Sequence, residues 1–152
     1  MPHAVRACSL ALALALLARA GPAAATLGEG EPSVDRDRQA LGMARAAPAA
    51  RGRLTLHELA SPTVTVREFA DASGTVFAIA WSGIARPDLA QLLGSYFDEW
   101  RRAAVRSPGP RRPRRVETAR VVVETWGHAR ALHGRAWIPA LLPAEASLDE
   151  IQ

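Results

Sequence analysis

Three histidines fall within the part of the chain expected to fold: His57, His128 and His133. Two of them sit in one stretch, WGHARALHGRAWIPALLP (Trp126 to Pro143), with Trp126, Arg135 and Trp137 around them. Such a set could bind a metal, move a proton or grip a ligand. The spacing argues against the first. On one strand, residues five apart point to opposite faces, so His128 and His133 are expected to face opposite ways. No H-E-x-x-H pair or other helical histidine pair is present. Serine chemistry is equally unsupported, because Ser82 lies in W-S-G and Ser95 in G-S-Y, neither of them a G-x-S-x-G elbow. Asp98 and Glu99 are adjacent on an expected helix and diverge by about 100°, which suits a solvated face better than an acid/base pair. No glycine loop for phosphate is present. Neither a metal nor a cofactor is implied. The suggestive residues are His133, Arg135 and Trp137, which alternate onto one face of a strand. Trp81 and Trp100 suit core positions; Trp126 and Trp137 are the better candidates for an exposed pair.

A second cluster is basic. RSPGPRRPRR (Arg106 to Arg115) holds five of the 19 basic residues, all of them arginine, since the chain has no lysine. Repeated prolines and like charges exclude a helix or a central strand, so a mobile loop is expected. Arg111, Arg112, Arg114 and Arg115 could attract a polyanion, with an affinity that salt would weaken. No aromatics interleave them, as a stacking surface for single strands would want. An arginine-only, alanine-rich composition fits a GC-rich genome, so a solvated insertion is the plainer reading. No specific nucleic-acid partner is indicated.

The elements that must position these residues follow a simple order. Residues 1–25 read as a signal peptide: Arg6, then an apolar run from Ala7 to Ala18, then Ala23-Ala24-Ala25 for cleavage. The run is too short to span a bilayer comfortably. Contact with a membrane is expected only through this segment, before cleavage. The one cysteine, Cys8, leaves with it, so no disulfide or thiolate chemistry remains. Residues 26–52 are rich in Ala, Gly, Pro and charge. They read as a flexible arm, with a short helix near Ser33 to Leu41 that has little to dock with.

From Arg53 onward a single domain is expected. RLTLHEL alternates and gives a leading strand. TVTVREFA and TVFAIAW form a hairpin through Asp71-Ala72-Ser73-Gly74. Pairing Asp71 with Thr75 would set Phe69 against Phe77, Arg67 against Ile79 and Thr65 against Trp81. Val64, Val66, Val76, Ala78 and Ala80 would line the other face. PDLAQLLGSYFDEWRRAAV carries apolar residues at three- and four-residue spacing and reads as one amphipathic helix, about 87–105. VETARVVVET gives a strand, Gly127-His128 a turn, and Ala129 to Ile138 its return. Ser147 to Glu150 resembles a capping box. The fold expected is α+β: an antiparallel sheet of about five strands, two hairpins plus a leading strand, packed on one helix.

Several blocks resemble a known family: ATLGE (Ala25 to Glu29), VREF (Val66 to Phe69), GTVFAIAWSG (Gly74 to Gly83), PDLAQLLGSYFDEW (Pro87 to Trp100), HGRAWIPALLP (His133 to Pro143) and the closing SLDEI. Their order is similar to that of small exported bacterial proteins, mostly proteobacterial, grouped as domain of unknown function 2844. The resemblance implies secretion, a single domain, no assigned enzyme activity and no known cofactor; it assigns no residue a role. The Arg-Pro stretch lies outside it.

The function expected is a non-enzymatic binding or interaction module of the cell envelope, periplasmic or secreted. Its partner would be another envelope protein or a second copy of the chain. The alternatives are a periplasmic hydrolase using His133 or His128 with a carboxylate such as Glu124, and polyanion binding through Arg106–Arg115.

Overall fold

The computed structural model describes residues 26–106 and 114–152. The expected signal peptide lies outside the described residues. The chain order is α1 (Pro32–Ala40), β1 (Ala44–Arg45), β2 (Ala49–Arg51), β3 (Leu54–Ala60), β4 (Val64–Ala70), β5 (Val76–Gly83), α2 (Leu89–Leu93), α3 (Phe97–Arg106), β6 (Arg114–Glu117), β7 (Val122–His128) and β8 (Ala131–Trp137). Short 3-10 turns cover Gly94–Tyr96, Pro139–Leu141 and Leu148–Glu150. The class is α+β. One antiparallel sheet of eight strands runs β1-β3-β4-β5-β8-β7-β6, with β2 sharing the outer edge of β3 with β1.

Five of these strands, β3, β4, β5, β7 and β8, are the expected ones. The other three are short edge strands that alternation could not mark. β1 and β2 form because the outer edge of β3 would otherwise leave its backbone groups unpaired. β6 is built from Arg114, Arg115, Val116 and Glu117, and only Val116 is buried. Charge is tolerable there because β6 is itself an edge. VETARVVVET is therefore two strands rather than one. The Thr118 amide donates to the Val121 carbonyl at 3.0 Å, and the Thr118 hydroxyl accepts from the Val121 amide at 3.0 Å.

Two further expectations need correction. Residues 26–52 are folded onto the sheet rather than forming a loose arm. The Gly28 amide donates to Val76 O at 2.8 Å and the Glu31 amide to Gly74 O at 2.9 Å, which joins the segment to the start of β5. Leu27, Val34 and Met43 enter the core. Alanine-rich composition hid these three anchors. The long helix, in turn, is broken at Gly94, whose φ of 45° leaves the helical region. Asp88 caps α2, its carboxylate accepting from the amides of Ala90 at 2.8 Å and Gln91 at 3.2 Å. Leu89, Leu92 and Leu93 are buried, while Phe97 and Trp100 of α3 pack half-buried against the same core.

The first hairpin shows how one residue re-aims a strand. Asp71 does pair with Thr75, its amide donating at 3.0 Å. Ala70 then pairs with Val76, but Phe69 pairs with Ala78, so Phe77 is an extra residue. Beyond this bulge Arg67 faces Ala80 and Thr65 faces Ser82, not Ile79 and Trp81. Ile79 and Trp81 therefore turn toward the helices with Val64 and Val66. Phe77, Ala78 and Ala80 join Leu56, Phe69, Val122 and Trp137 on the opposite face.

That opposite face is covered by the C-terminal segment. Ile151 is buried in it, the Arg67 guanidinium donates to Gln152 O at 2.9 Å, and that of Arg135 donates to Leu148 O. At the centre of the sheet Trp81 pairs with Gly134, and a Cβ on Gly134 would lie 2.2 Å from the Trp81 ring. Only glycine lets that indole cross β8. Gly134→Ala is expected to destabilise the fold by about 1–3 kcal/mol through overpacking; chemical denaturation reads this, and an unchanged midpoint would contradict the packing described.

Candidate functional site

Antiparallel pairing of β6, β7 and β8 collects alternating side chains on the face away from the helices. Trp126 pairs with His133, Glu124 with Arg135 and with Arg115, and Val122 with Trp137. The His133 and Trp126 rings stack with centroids 5.8 Å apart and planes 9° from parallel. The Arg135 guanidinium lies 5.7 Å from the Trp126 centroid and 5.6 Å from that of Trp137. Arg115 lies 5.2 Å from Trp137. Aromatic and cationic groups thus alternate across three strands, each cation over a ring face.

Glu124 ties the ladder together. It accepts from Arg135 at 2.7 Å and Arg115 at 2.8 Å. Burial alone would raise its pKa, but these two guanidiniums outweigh that and hold it below the ordinary glutamate value. The ladder opens into a groove of about 690 Å³ lined by Arg114, Arg115, Glu124, Trp126 and Arg135 and by Asp149 and Gln152 of the C-terminal segment.

The structure brings His133, Arg135 and Trp137 to this one face and adds Arg115, Glu124 and Trp126. Trp137 lies beneath the two guanidiniums and is only 3% exposed, so the exposed tryptophan pair does not form; Trp126 is half-buried. His128 ends β7 and is exposed, its Nδ1 bonded to Ala129 O at 3.0 Å. The turn falls at Ala129-Arg130, later than expected, and pairs His128 with Ala131. By strand alternation His128 and His133 therefore share a side of the sheet, contrary to a count along one strand. Among the described residues Glu124 bonds to neither His128 nor His133; its partners are Arg115 and Arg135. Of the loop arginines, Arg111 and Arg112 lie outside the described residues. Arg114 donates to Ala104 O, and Arg115 also reaches Glu117 at 3.0 Å.

A second polar cluster went unread in the sequence. It lies between α1 and the helix-side face of the sheet. His57 is buried, and the Arg45 guanidinium donates to its Nδ1 at 2.9 Å. Arginine can only donate, so Nδ1 accepts and Nε2–H donates to Glu31 at 3.2 Å. Arg45 also pairs with Asp35 at 3.0 Å. Across the strand pair from His57 stands Glu68, wholly buried, with no hydrogen bond to either carboxyl oxygen among the described residues. Burial, reinforced by the Asp37 carboxylate and only partly offset by Arg45, pushes the Glu68 pKa up to about 8. Asp37 is raised too, by burial, against hydrogen bonds from Thr26 and Gln91. The readable signal was the phase of β4. Glu68 occupies the inward position in the series Val64, Val66, Ala70, where an apolar residue is usual.

Among the described residues no group of three or more His, Cys, Asp or Glu could hold a metal, and no helix is long and apolar enough to cross a membrane. A family model described as protein of unknown function (DUF2844) matches residues 23–151, and the chain belongs to that family. No curated protein and no solved structure matches it.

The Glu68 proton has a consequence for stability. The folded chain keeps it up to about pH 8, whereas an unfolded glutamate releases it near 4.5. The stability it contributes is complete below about pH 4.5 and is lost as pH rises toward 8. Glu68→Gln should flatten this decline in urea titrations at several pH values. A decline as steep in the variant as in the parent chain would show that the proton resides elsewhere.

Proposed function

We propose that this chain is a non-enzymatic binding module, exported through the inner membrane to the periplasm or beyond, that takes its partner at the arginine–tryptophan groove. The supporting observation is the ladder itself: Arg115 and Arg135 over the faces of Trp126 and Trp137, beside an open groove of about 690 Å³. Tryptophan and arginine are the residue types that carry most energy at binding surfaces. The half-buried Trp126 ring offers apolar contact and the guanidinium edges offer hydrogen bonds. The matching partner surface carries a planar or apolar group flanked by carbonyl or carboxylate oxygens.

Two features favour binding over catalysis. Glu124 is held by two arginines, which makes it a poor proton acceptor. His133 is stacked on Trp126, and among the described residues no carboxylate bonds to it. Export rests on the residue pattern of the first 25 positions.

Two measurements test the proposal. Fractionation of cells expressing the whole chain should recover it outside the cytoplasm; recovery from the cytoplasm alone contradicts export. A photoreactive crosslinker beside the groove, used on envelope extracts, should capture a discrete partner. Trp126→Ala should weaken that capture by about thirtyfold, since truncating such an anchor costs about 2 kcal/mol. Arg101→Gln, on the far helix, should leave it unchanged. Equal loss in both variants would place the contact elsewhere.

A further inference from the structure

The C-terminal segment divides the sheet face it crosses. On one side lies the groove already described. On the other lies a separate cavity of about 540 Å³, within the range of small-molecule sites. Its floor is Leu54, Leu56, Phe69 and Phe77, and Ile151 and Ala146 close it from the segment side. We infer that this cavity binds a short apolar peptide with free ends, two or three residues long.

Charges of both signs surround the opening. Arg51 ends β2 and Arg53 sits in the turn to β3, while Glu145 and Glu150 come from the C-terminal segment. Among the described residues none of the four side chains has an ion-pair or hydrogen-bonding partner, and no ion pair joins the two basic residues to the two acidic ones. Two elements thus present opposite unneutralised charges around one apolar floor. A purely apolar occupant would use neither charge. A fatty acid or an anionic lipid would satisfy the arginines and be repelled by the two carboxylates. A short peptide satisfies both: its carboxylate meets Arg51 and Arg53, its ammonium meets Glu145 and Glu150, and its side chains rest on the leucines and phenylalanines. Three extended residues reach roughly 10 Å, enough to separate the two terminal charges across such a cavity.

The probe is the tripeptide Leu-Phe-Leu, titrated into the full mature chain by calorimetry and by NMR shift mapping. With free ends it should bind, and shifts should cluster at Leu54, Phe77 and Ala146. The N-acetylated, C-amidated form should bind at least about tenfold more weakly, since each lost charge-assisted contact is worth about 1.5 kcal/mol or more. Arg53→Gln, an exposed change, should weaken the free peptide and leave the capped one unaffected. Ala146→Trp, which fills the cavity, should abolish both while the circular dichroism spectrum is retained. The inference is overturned if the capped peptide binds as tightly as the free one. It is also overturned if lysophosphatidylethanolamine binds and neither peptide does, or if Arg53→Gln changes nothing.

Discussion

Strand β5 has no outer face. From Val76 to Trp81 every side chain is buried, at 3% exposure or less. A strand apolar on both sides must be covered on both sides, and the rest of the molecule follows from meeting that demand with limited material. The helix side takes α1, α2 and α3 and the larger core. Among the described residues the other side has only the C-terminal segment, which fastens at Ile151 and through its backbone oxygens, which accept from Arg67 and Arg135. One short segment cannot cover a face eight strands wide. The uncovered remainder is where the polar and aromatic residues of β6, β7 and β8 lie. The candidate site is thus the part of the second face that the fold leaves open.

The helix-side cover is fastened by a different chemistry. α1 contributes few apolar groups, chiefly Val34, and Asp37 is buried beside it. Polar links do the rest: Glu31 to His57, Arg45 to both His57 and Asp35, and Gln91 of α2 to Asp37. Burying such groups is costly unless each finds a partner. Among the described residues Glu68 does not, and it escapes the cost of a buried charge by keeping its proton. The two covers therefore respond to different conditions: one to pH through carboxyl protons, the other to loss of apolar contact at Ile151.

How much of this was legible follows from what each signal measures. Alternation marks strands that have one buried and one solvated face, and it located β3 and β4; the Asp71–Gly74 and Gly127-His128 turns placed β5 and β8 as return strands, and the valine run marked β7. Alternation says nothing of β1, β2 and β6, whose side chains are mostly exposed and whose cause is the unpaired edge of a neighbour. The Asp71–Gly74 turn fixed the end of its hairpin, but a bulge at Phe77 is invisible to a count from the turn, so every pair beyond it was one residue out. The turn at Ala129-Arg130 misled in the same way, because a histidine pair counted along one strand was split across two. His133, Arg135 and Trp137 were readable as a set because i, i+2, i+4 spacing survives any choice of register. Their partners Arg115, Glu124 and Trp126 were not, since cross-strand neighbours depend on that register. Glu68 left a trace, a charge on the apolar phase of β4. Its neighbours Asp37 and Arg45 come from the segment that composition marked as loose, so nothing in sequence joined the three.

Residues 26–41 and 144–152 are covers fixed to the two faces of β5. Native-state hydrogen exchange, read by mass spectrometry on peptic fragments, tests this placement most directly. Exchange is expected to be slowest in β5. Clear protection is expected for the amides of Gly28, Glu31 and Val34, which have backbone acceptors, and for Ile151, whose amide bonds to Leu148 O at 3.2 Å. Exchange of residues 26–41 and 144–152 at the rate of an unfolded chain, with β5 still protected, would contradict it.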